Sequence, residues 1–185
     1  MSSKVWVSES VESDVIDTSI RPLIRVVPDF PIPGINFKDI TPIIGDYAAL
    51  ELSIMLMSRP FQDLAVDKVA GISSRGLYFA PGIARFLHVG LVPLRKEGKL
   101  PWKTFSEDFT LEYGTGIMEI HQDAIAPGER VVVVDDVLAT GGTMKAACNL
   151  VEQTGGVVVG IIVLIDLGLE VKENLPVRPR ALIQY

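Results

Sequence analysis

Val131-Val132-Val133-Val134-Asp135-Asp136-Val137-Leu138-Ala139-Thr140-Gly141-Gly142-Thr143-Met144 is the stretch from which the fold can be read. Four β-branched residues in succession predict a strand buried on both faces. Two acids stand where that strand should end, and a small, glycine-containing turn follows. Beyond it, Met144, Ala147, Cys148 and Val151 recur at helical spacing. The order is strand, acid pair, turn, helix. Backbone N–H groups converge in such a turn, and the dipole of the following helix adds positive potential, which makes an anion site. The hydroxyls of Thr140 and Thr143 can add hydrogen bonds to phosphate oxygens. Asp135 and Asp136 repel phosphate and suit neutral sugar hydroxyls, or a divalent cation bridging to them. The ligand expected of this stretch is a phosphorylated sugar. Gly-Gly after a strand also serves as a plain tight turn, and Asp as a helix cap, so it is the ordered combination that carries the reading. It is neither a Walker A loop, lacking the lysine, nor G-x-G-x-x-G.

The chain has 185 residues, 48% of them hydrophobic, enough for one domain with a sizeable core. Seventeen basic residues against 23 acidic ones leave a net charge of −6. No basic run or aromatic–basic interleave marks a nucleic-acid binder. Arg95, Lys96, Lys99 and Lys103 instead form a local patch suited to a small anion. Cys148 is the one cysteine, which excludes an intramolecular disulfide and points to a reducing compartment. It lies on an apolar helix stripe and is expected to pack rather than react. The N-terminus lacks a signal-peptide core, and the apolar run 157–165, interrupted by Gly160, falls short of the ~20 residues of a membrane span. The expected protein is cytoplasmic, with no membrane and no nucleic-acid partner.

Residues 9–20 predict a short helix. From Arg25 to Pro42, three prolines within positions 28–33 forbid a regular helix and predict a rigid, turn-rich segment pinned by Phe30 and Phe37. Helices are expected over 47–58 and 77–87, and strands over 68–72, 91–94, 157–167 and 178–185. Strands alternating with helices predict a mostly parallel twisted sheet flanked by helices on both faces. Ligands of open α/β sheets bind at the carboxyl ends of strands, and three such ends carry polar turns: 73–76, 95–99 and 135–143. These should converge on one crevice. Residues 103–122 alternate and read as a β-hairpin outside the main sheet, a lid candidate.

The stretch 131–143 resembles the phosphoribosyl pyrophosphate (PRPP) motif of type I phosphoribosyltransferases. Pro28-Asp29-Phe30-Pro31-Ile32-Pro33-Gly34-Ile35-Asn36-Phe37-Lys38-Asp39-Ile40 is similar to the N-terminal signature of adenine phosphoribosyltransferases. From about residue 24 onward the motifs of that family occur in order. The resemblance implies a single type I phosphoribosyltransferase domain over 1–185, with a hood from about 21–45 and 167–185 and a lid over about 97–122. It implies transfer of the phosphoribosyl group of PRPP to adenine, giving AMP and pyrophosphate, with Mg²⁺ held mainly through PRPP and no direct protein metal ligands. A homodimer is implied as well.

Within that resemblance, Ala139, Thr140, Gly141, Gly142 and Thr143 anchor the 5′-phosphate, and Asp135 and Asp136 grip the ribose. Arg75, Arg95 and Lys99 meet the pyrophosphate. Glu112 matches the lid glutamate that exchanges a proton with adenine N7 as N9 attacks. Glu112, Lys99 and Arg75 are therefore the expected catalytic residues, and Asn36, Phe37, Lys38 and Leu167 the expected adenine-binding ones. The chain departs from the family pattern at Ser73, where an acid is usual, and at Trp102. The Ser73 turn carries a non-proline cis peptide in the family. Two alternatives stay open on the residues: a non-catalytic PRPP-sensing regulator, and a phosphoribosyltransferase for another purine. The retained Lys99 and Glu112 speak against the first, and the Pro-Asp-Phe-Pro segment with Glu112 against the second.

Overall fold

The computed structural model describes residues 9–111, 114–169 and 174–185, and the chain divides into two units, Met1–Ser53 and Ile54–Tyr185. The first carries α1 (Glu9–Ser19), an antiparallel pair of short strands, β1 (Arg25–Val27) and β2 (Phe37–Asp39), and α2 (Thr41–Gly45). The proline-rich connection between the strands closes on itself. Asp29 accepts from the Gly34 N–H at 2.7 Å, the Phe30 N–H donates to the Ile35 carbonyl at 3.2 Å, and the Phe30-Pro31 bond is cis. Phe30 and Phe37 meet edge to face, centroids 5.1 Å apart. Asp39 then caps α2, accepting from the Thr41 N–H and hydroxyl, each at 2.9 Å. The prolines predicted this rigid, aromatic-pinned segment. Helix α3 (Tyr47–Ser58) spans the boundary between the units.

The second unit contains β3 (Lys68–Ile72), α4 (Ala80–Leu87), β4 (Gly90–Lys96), β5 (Thr104–Leu111), β6 (Gly114–His121), β7 (Arg130–Leu138), α5 (Gly142–Gln153), β8 (Val157–Asp166) and β9 (Arg180–Gln184). The strands form one sheet in the order β5-β6-β4-β3-β7-β8-β9. The pairs β4–β3, β3–β7, β7–β8 and β8–β9 are parallel, and β4–β6 and β5–β6 antiparallel. Val131 to Val134 are all 0% exposed, and burying each contributes roughly 1.5 kcal/mol or more. Their side chains divide between the two faces. Val131 and Val133 join Ala70 and Ile72 in a core with Met144, Ala147, Cys148 and Val151 of α5. On the other face α4 packs so closely that a Cβ on Gly71, the partner of Val134, would meet Ala80 at 2.6 Å. Helices thus cover both faces, as a parallel sheet requires.

Three local expectations need correction. Strand β7 does not end before the acids: Asp135 pairs with Val163 and Leu138 with Asp166, because β8 offers a ladder long enough to carry the acids inside the strand. Helix α4 starts late, at Ala80, after a single 3₁₀ turn over Gly76–Tyr78; Pro81 suits a first turn and restricts the residue before it. The 103–122 hairpin is not outside the sheet. Strand β6 pairs with the end of β4, Arg95 opposite Glu119 and Lys96 opposite Met118. Phe109, Met118 and Ile120 are in the core. Glu107 further ties β5 to α5, accepting from Asn149 Nδ2 at 2.6 Å and Gln153 Nε2 at 2.7 Å. The apolar alternation of β6 supplies the face that holds the hairpin down.

Candidate active site

Strands β4, β3, β7 and β8 lie side by side and parallel, so their carboxyl ends open on one edge of the sheet. The turn Ser73-Ser74-Arg75-Gly76 leaves β3 there, tied to β4 by the Ser73 N–H, which donates to the Leu94 carbonyl at 2.9 Å. The Ser73-Ser74 peptide is cis, as the family resemblance implied. Gly76 allows the turn to lie against β7: a Cβ there would come within 2.7 Å of the Val134 carbonyl oxygen and 2.9 Å of Asp135 Cα. The close approach brings Arg75 Nε to 2.8 Å from Asp136 Oδ2.

Asp135 and Asp136 are 9% and 4% exposed. Asp135 Oδ1 accepts from the Asp136 backbone N–H at 2.9 Å. Burial, and then the neighbouring Asp136 charge, push the Asp135 carboxyl well above the usual aspartate range, while Arg75 opposes this. Burial raises Asp136 too, with Arg75 the strongest opposing influence. The pair is desolvated and only partly compensated, which is the condition of groups awaiting donors from elsewhere.

Next to them, Ala139 and Thr140 lead into α5. The helix N-cap is Gly141, at φ 94° and ψ −9°, with no side-chain cap bond. Glycine suits that left-handed conformation, and its missing side chain leaves the first helical N–H groups with the positive end of the dipole uncovered. Ala139, Thr140, Gly142 and Thr143 are half-buried around it. The arrangement can take an anion at the turn and a hydroxyl-bearing group at the acids. Leu167 sits at the neighbouring strand end, its N–H donating to the Leu138 carbonyl at 3.0 Å.

The end of β4 turns sharply through Lys96-Glu97-Gly98-Lys99. The Lys99 N–H donates to the Lys96 carbonyl at 3.2 Å, and Gly98 takes φ 71°. Arg95 is half-buried and Lys99 exposed. Arg95 reaches the Lys99 carbonyl through Nη1 at 3.4 Å. One edge thus gathers Arg75, Asp135, Asp136, the 139–143 turn, Arg95, Lys99 and Leu167. Asn36, Phe37 and Lys38 belong to the first unit, on and beside β2. Glu112 lies outside the described residues. Among the described residues no group of three or more His, Cys, Asp or Glu side chains could hold a metal ion, and no helix is long and apolar enough to cross a membrane.

Sequence reasoning missed Glu119. It alternates with Met118 and Ile120 and reads as an outward residue of a strand, yet it is only 9% exposed. Its Oε2 accepts from the Gly98 N–H at 2.9 Å and its Oε1 from the Thr104 hydroxyl at 3.4 Å. The signal was non-local, in the pairing of β6 with β4. Cys148 is fully buried, and burial foremost pushes its thiol up to about 12, in keeping with a packing role. His88 caps α4 in the left-handed conformation at φ 58°.

The family model described as "Phosphoribosyl transferase domain" matches residues 49–175. A relative from Roseiflexus sp. (strain RS-1), named adenine phosphoribosyltransferase, is 51% identical over 91% of this chain and 99% of its own length. The crystal structure of adenine phosphoribosyltransferase from Rhodothermus marinus superposes with a TM-score of 0.86 at 46% identity, covering 96% of this chain and 100% of that one. The Saccharomyces cerevisiae adenine phosphoribosyltransferase, solved with an imino-altritol bisphosphate and adenine, gives a TM-score of 0.84 at 32% identity over 94% of this chain and 99% of that one.

Proposed function

The chain belongs to the adenine phosphoribosyltransferases, within the phosphoribosyl transferase domain family, and we propose that it transfers the 5-phosphoribosyl group of PRPP to adenine, giving AMP and pyrophosphate in purine salvage. The observation that carries this is the strand edge where a buried acid pair, Arg75 and the uncapped start of α5 stand together. A sugar bearing phosphate at one end and pyrophosphate at the other matches that order of charges.

Displacement at the anomeric carbon passes through an oxocarbenium-like state and releases a polyanion. The 5′-phosphate lies in the turn Ala139 to Thr143, on backbone N–H groups and the Thr140 and Thr143 hydroxyls. The ribose hydroxyls donate to Asp135 and Asp136, returning to the buried carboxylates the donors that desolvation removed. Arg75, Arg95 and Lys99 meet the pyrophosphate, and their charge counts most as the leaving group develops its own. By the family resemblance Asn36, Phe37, Lys38 and Leu167 are adenine-binding residues, and Glu112 exchanges a proton with N7. Mg²⁺ fits the donor set present. One acid pair, with one member ion-paired to Arg75, suits a cation that keeps waters and PRPP oxygens rather than one caged by protein. When bound it neutralises charge on the pyrophosphate. The reading extends to one domain over 1–185 with its hood and lid, a cytoplasmic homodimer, and no nucleic-acid or membrane partner; the family resemblance supports these, and sedimentation tests the dimer.

Incubation with PRPP, Mg²⁺ and each purine tests the reaction. AMP from adenine, with far slower turnover of hypoxanthine, guanine and xanthine, is expected; no AMP from adenine overturns the reading. Glu112→Gln should lower kcat by about 10²-fold, the scale of general acid–base help, and leave PRPP affinity nearly unchanged. Equal losses in both would remove Glu112 from proton transfer.

A further inference from the structure

Lys99 stands at the pyrophosphate end of the proposed site, but on an exposed turn. A long cation on an unsupported turn would contribute little, since holding it in place costs conformational entropy. The turn is supported from several sides. Its own Lys99-to-Lys96 bond closes it, and the Glu97 N–H donates to the Ile117 carbonyl at 3.1 Å. The remaining inward-facing donor, the Gly98 N–H, goes to the carboxylate of Glu119 at 2.9 Å. Gly98 needs its left-handed φ of 71° to present that N–H. The other oxygen of Glu119 faces the Thr104 hydroxyl, at the first residue of β5. A single buried carboxylate therefore holds the turn after β4 and the start of the β5–β6 hairpin together, and it does so from β6 itself.

We propose that Glu119 is a positioning residue that sets the Lys99-bearing turn against the hairpin, and so couples hairpin placement to the grip on pyrophosphate; this rests on the adenine phosphoribosyltransferase reading above. Glu119 touches no substrate and acts through Lys99. Its two oxygens are engaged by Gly98 and Thr104 rather than by the guanidinium of Arg95, its pairing partner across β4 and β6. The hairpin cannot shift on β4 without moving Glu119, and Glu119 cannot move without releasing the Gly98 N–H.

The test is a steady-state comparison of Glu119→Ala, Glu119→Gln and the double variant Glu119→Ala with Lys99→Ala. Glu119→Ala should raise the KM for PRPP by ~10-fold or more, the scale of a small misplacement, with the KM for adenine unchanged. Glu119→Gln should recover to within about twofold, because its amide oxygen can accept from Gly98 and its nitrogen can donate to Thr104. The double variant should be no worse toward PRPP than Lys99→Ala alone, since both changes remove one effect. Faster hydrogen exchange at the Gly98 amide in Glu119→Ala reads the contact itself. An unchanged PRPP KM, or additive losses in the double variant, overturns the role. Equal loss toward PRPP and adenine also overturns it, as a general structural defect. Wild-type protein that makes no AMP overturns the underlying reading instead, and the Gly98 exchange rate still decides whether Glu119 holds the turn. Should Glu119→Ala fail to fold, Glu119→Asp keeps the charge but withdraws it by one methylene, and the same KM split decides.

Discussion

The end of β7 and the middle of β6 each bury carboxylates at one sheet edge, and the two places treat them differently. At β6, Glu119 has an acceptor bond on each oxygen, one from a backbone N–H and one from a hydroxyl. At β7, two adjacent acids are met by one guanidinium and by the backbone N–H groups of Asp136 and Val137, yet burial still holds both carboxyls above their usual range. Equal burial with unequal compensation separates scaffold from site. A satisfied carboxylate fixes geometry, whereas an under-satisfied one stores a cost that an incoming donor relieves. The difference can be broken at either end.

The largest effect is expected from Arg75→Ala, which removes the guanidinium from the acid pair and the cation from the proposed leaving group together. Stability should fall by roughly 2 kcal/mol, below the range for fully buried pairs because Arg75 is a third exposed. The kcat/KM for PRPP should fall by about 10³-fold, the loss of a charge that matters most in the transition state. Urea unfolding and initial rates measure the two. A variant with full activity and lowered stability would make Arg75 purely a partner of Asp136.

Asp135→Asn should separate binding from stability. The amide oxygen still accepts from the Asp136 N–H, while the buried charge disappears. PRPP affinity should fall by about 10- to 100-fold, the worth of a charge-assisted bond, and the ligand-free protein should become more stable at neutral pH. The pH dependence gives the sign. A carboxyl raised on folding binds its proton more tightly in the native state, so its contribution to stability declines as pH rises from the ordinary aspartate value near 4. The stability difference between variant and wild type should be small at about pH 4 and grow in the variant's favour above it, as urea midpoints across pH would show. A difference that stays flat with pH would mean that Asp135 carries no raised pKa, and the contrast with β6 would collapse.

How much of this was legible in the chain follows from how local each signal is. The valine run, the glycine turn and the stripe of α5 are contiguous, so their strand, anion turn and helix could be read directly. The convergence of 73–76, 95–99 and 135–143 followed from parallel topology alone. Arg75 lying on Asp136 was not readable, because it depends on Gly76 having no Cβ where β7 passes. Nor was the extent of β7: the acids read as the strand's end, and only the ladder to β8 carries them inside it. The hairpin read as separate because alternation says which face is apolar, not what it covers. Glu119 was invisible for the same reason, since its partners Gly98 and Thr104 lie 21 and 15 positions away.

The smallest expected effect completes the contrast. Glu119→Gln removes a buried charge, as Asp135→Asn does, but from a place where that charge is compensated. The glutamine amide can reproduce the acceptor bond to Gly98 and reverse the one to Thr104, so little is gained by neutralising it and little is lost. Stability should change by less than about 0.5 kcal/mol, against the gain expected of Asp135→Asn at neutral pH. The same urea series measures both. A gain in stability as large as that of Asp135→Asn would place Glu119 among the under-satisfied acids. Glu119 would then be a group waiting for a ligand or a cation of its own, and the division of this edge into a scaffold acid and a binding pair would be wrong.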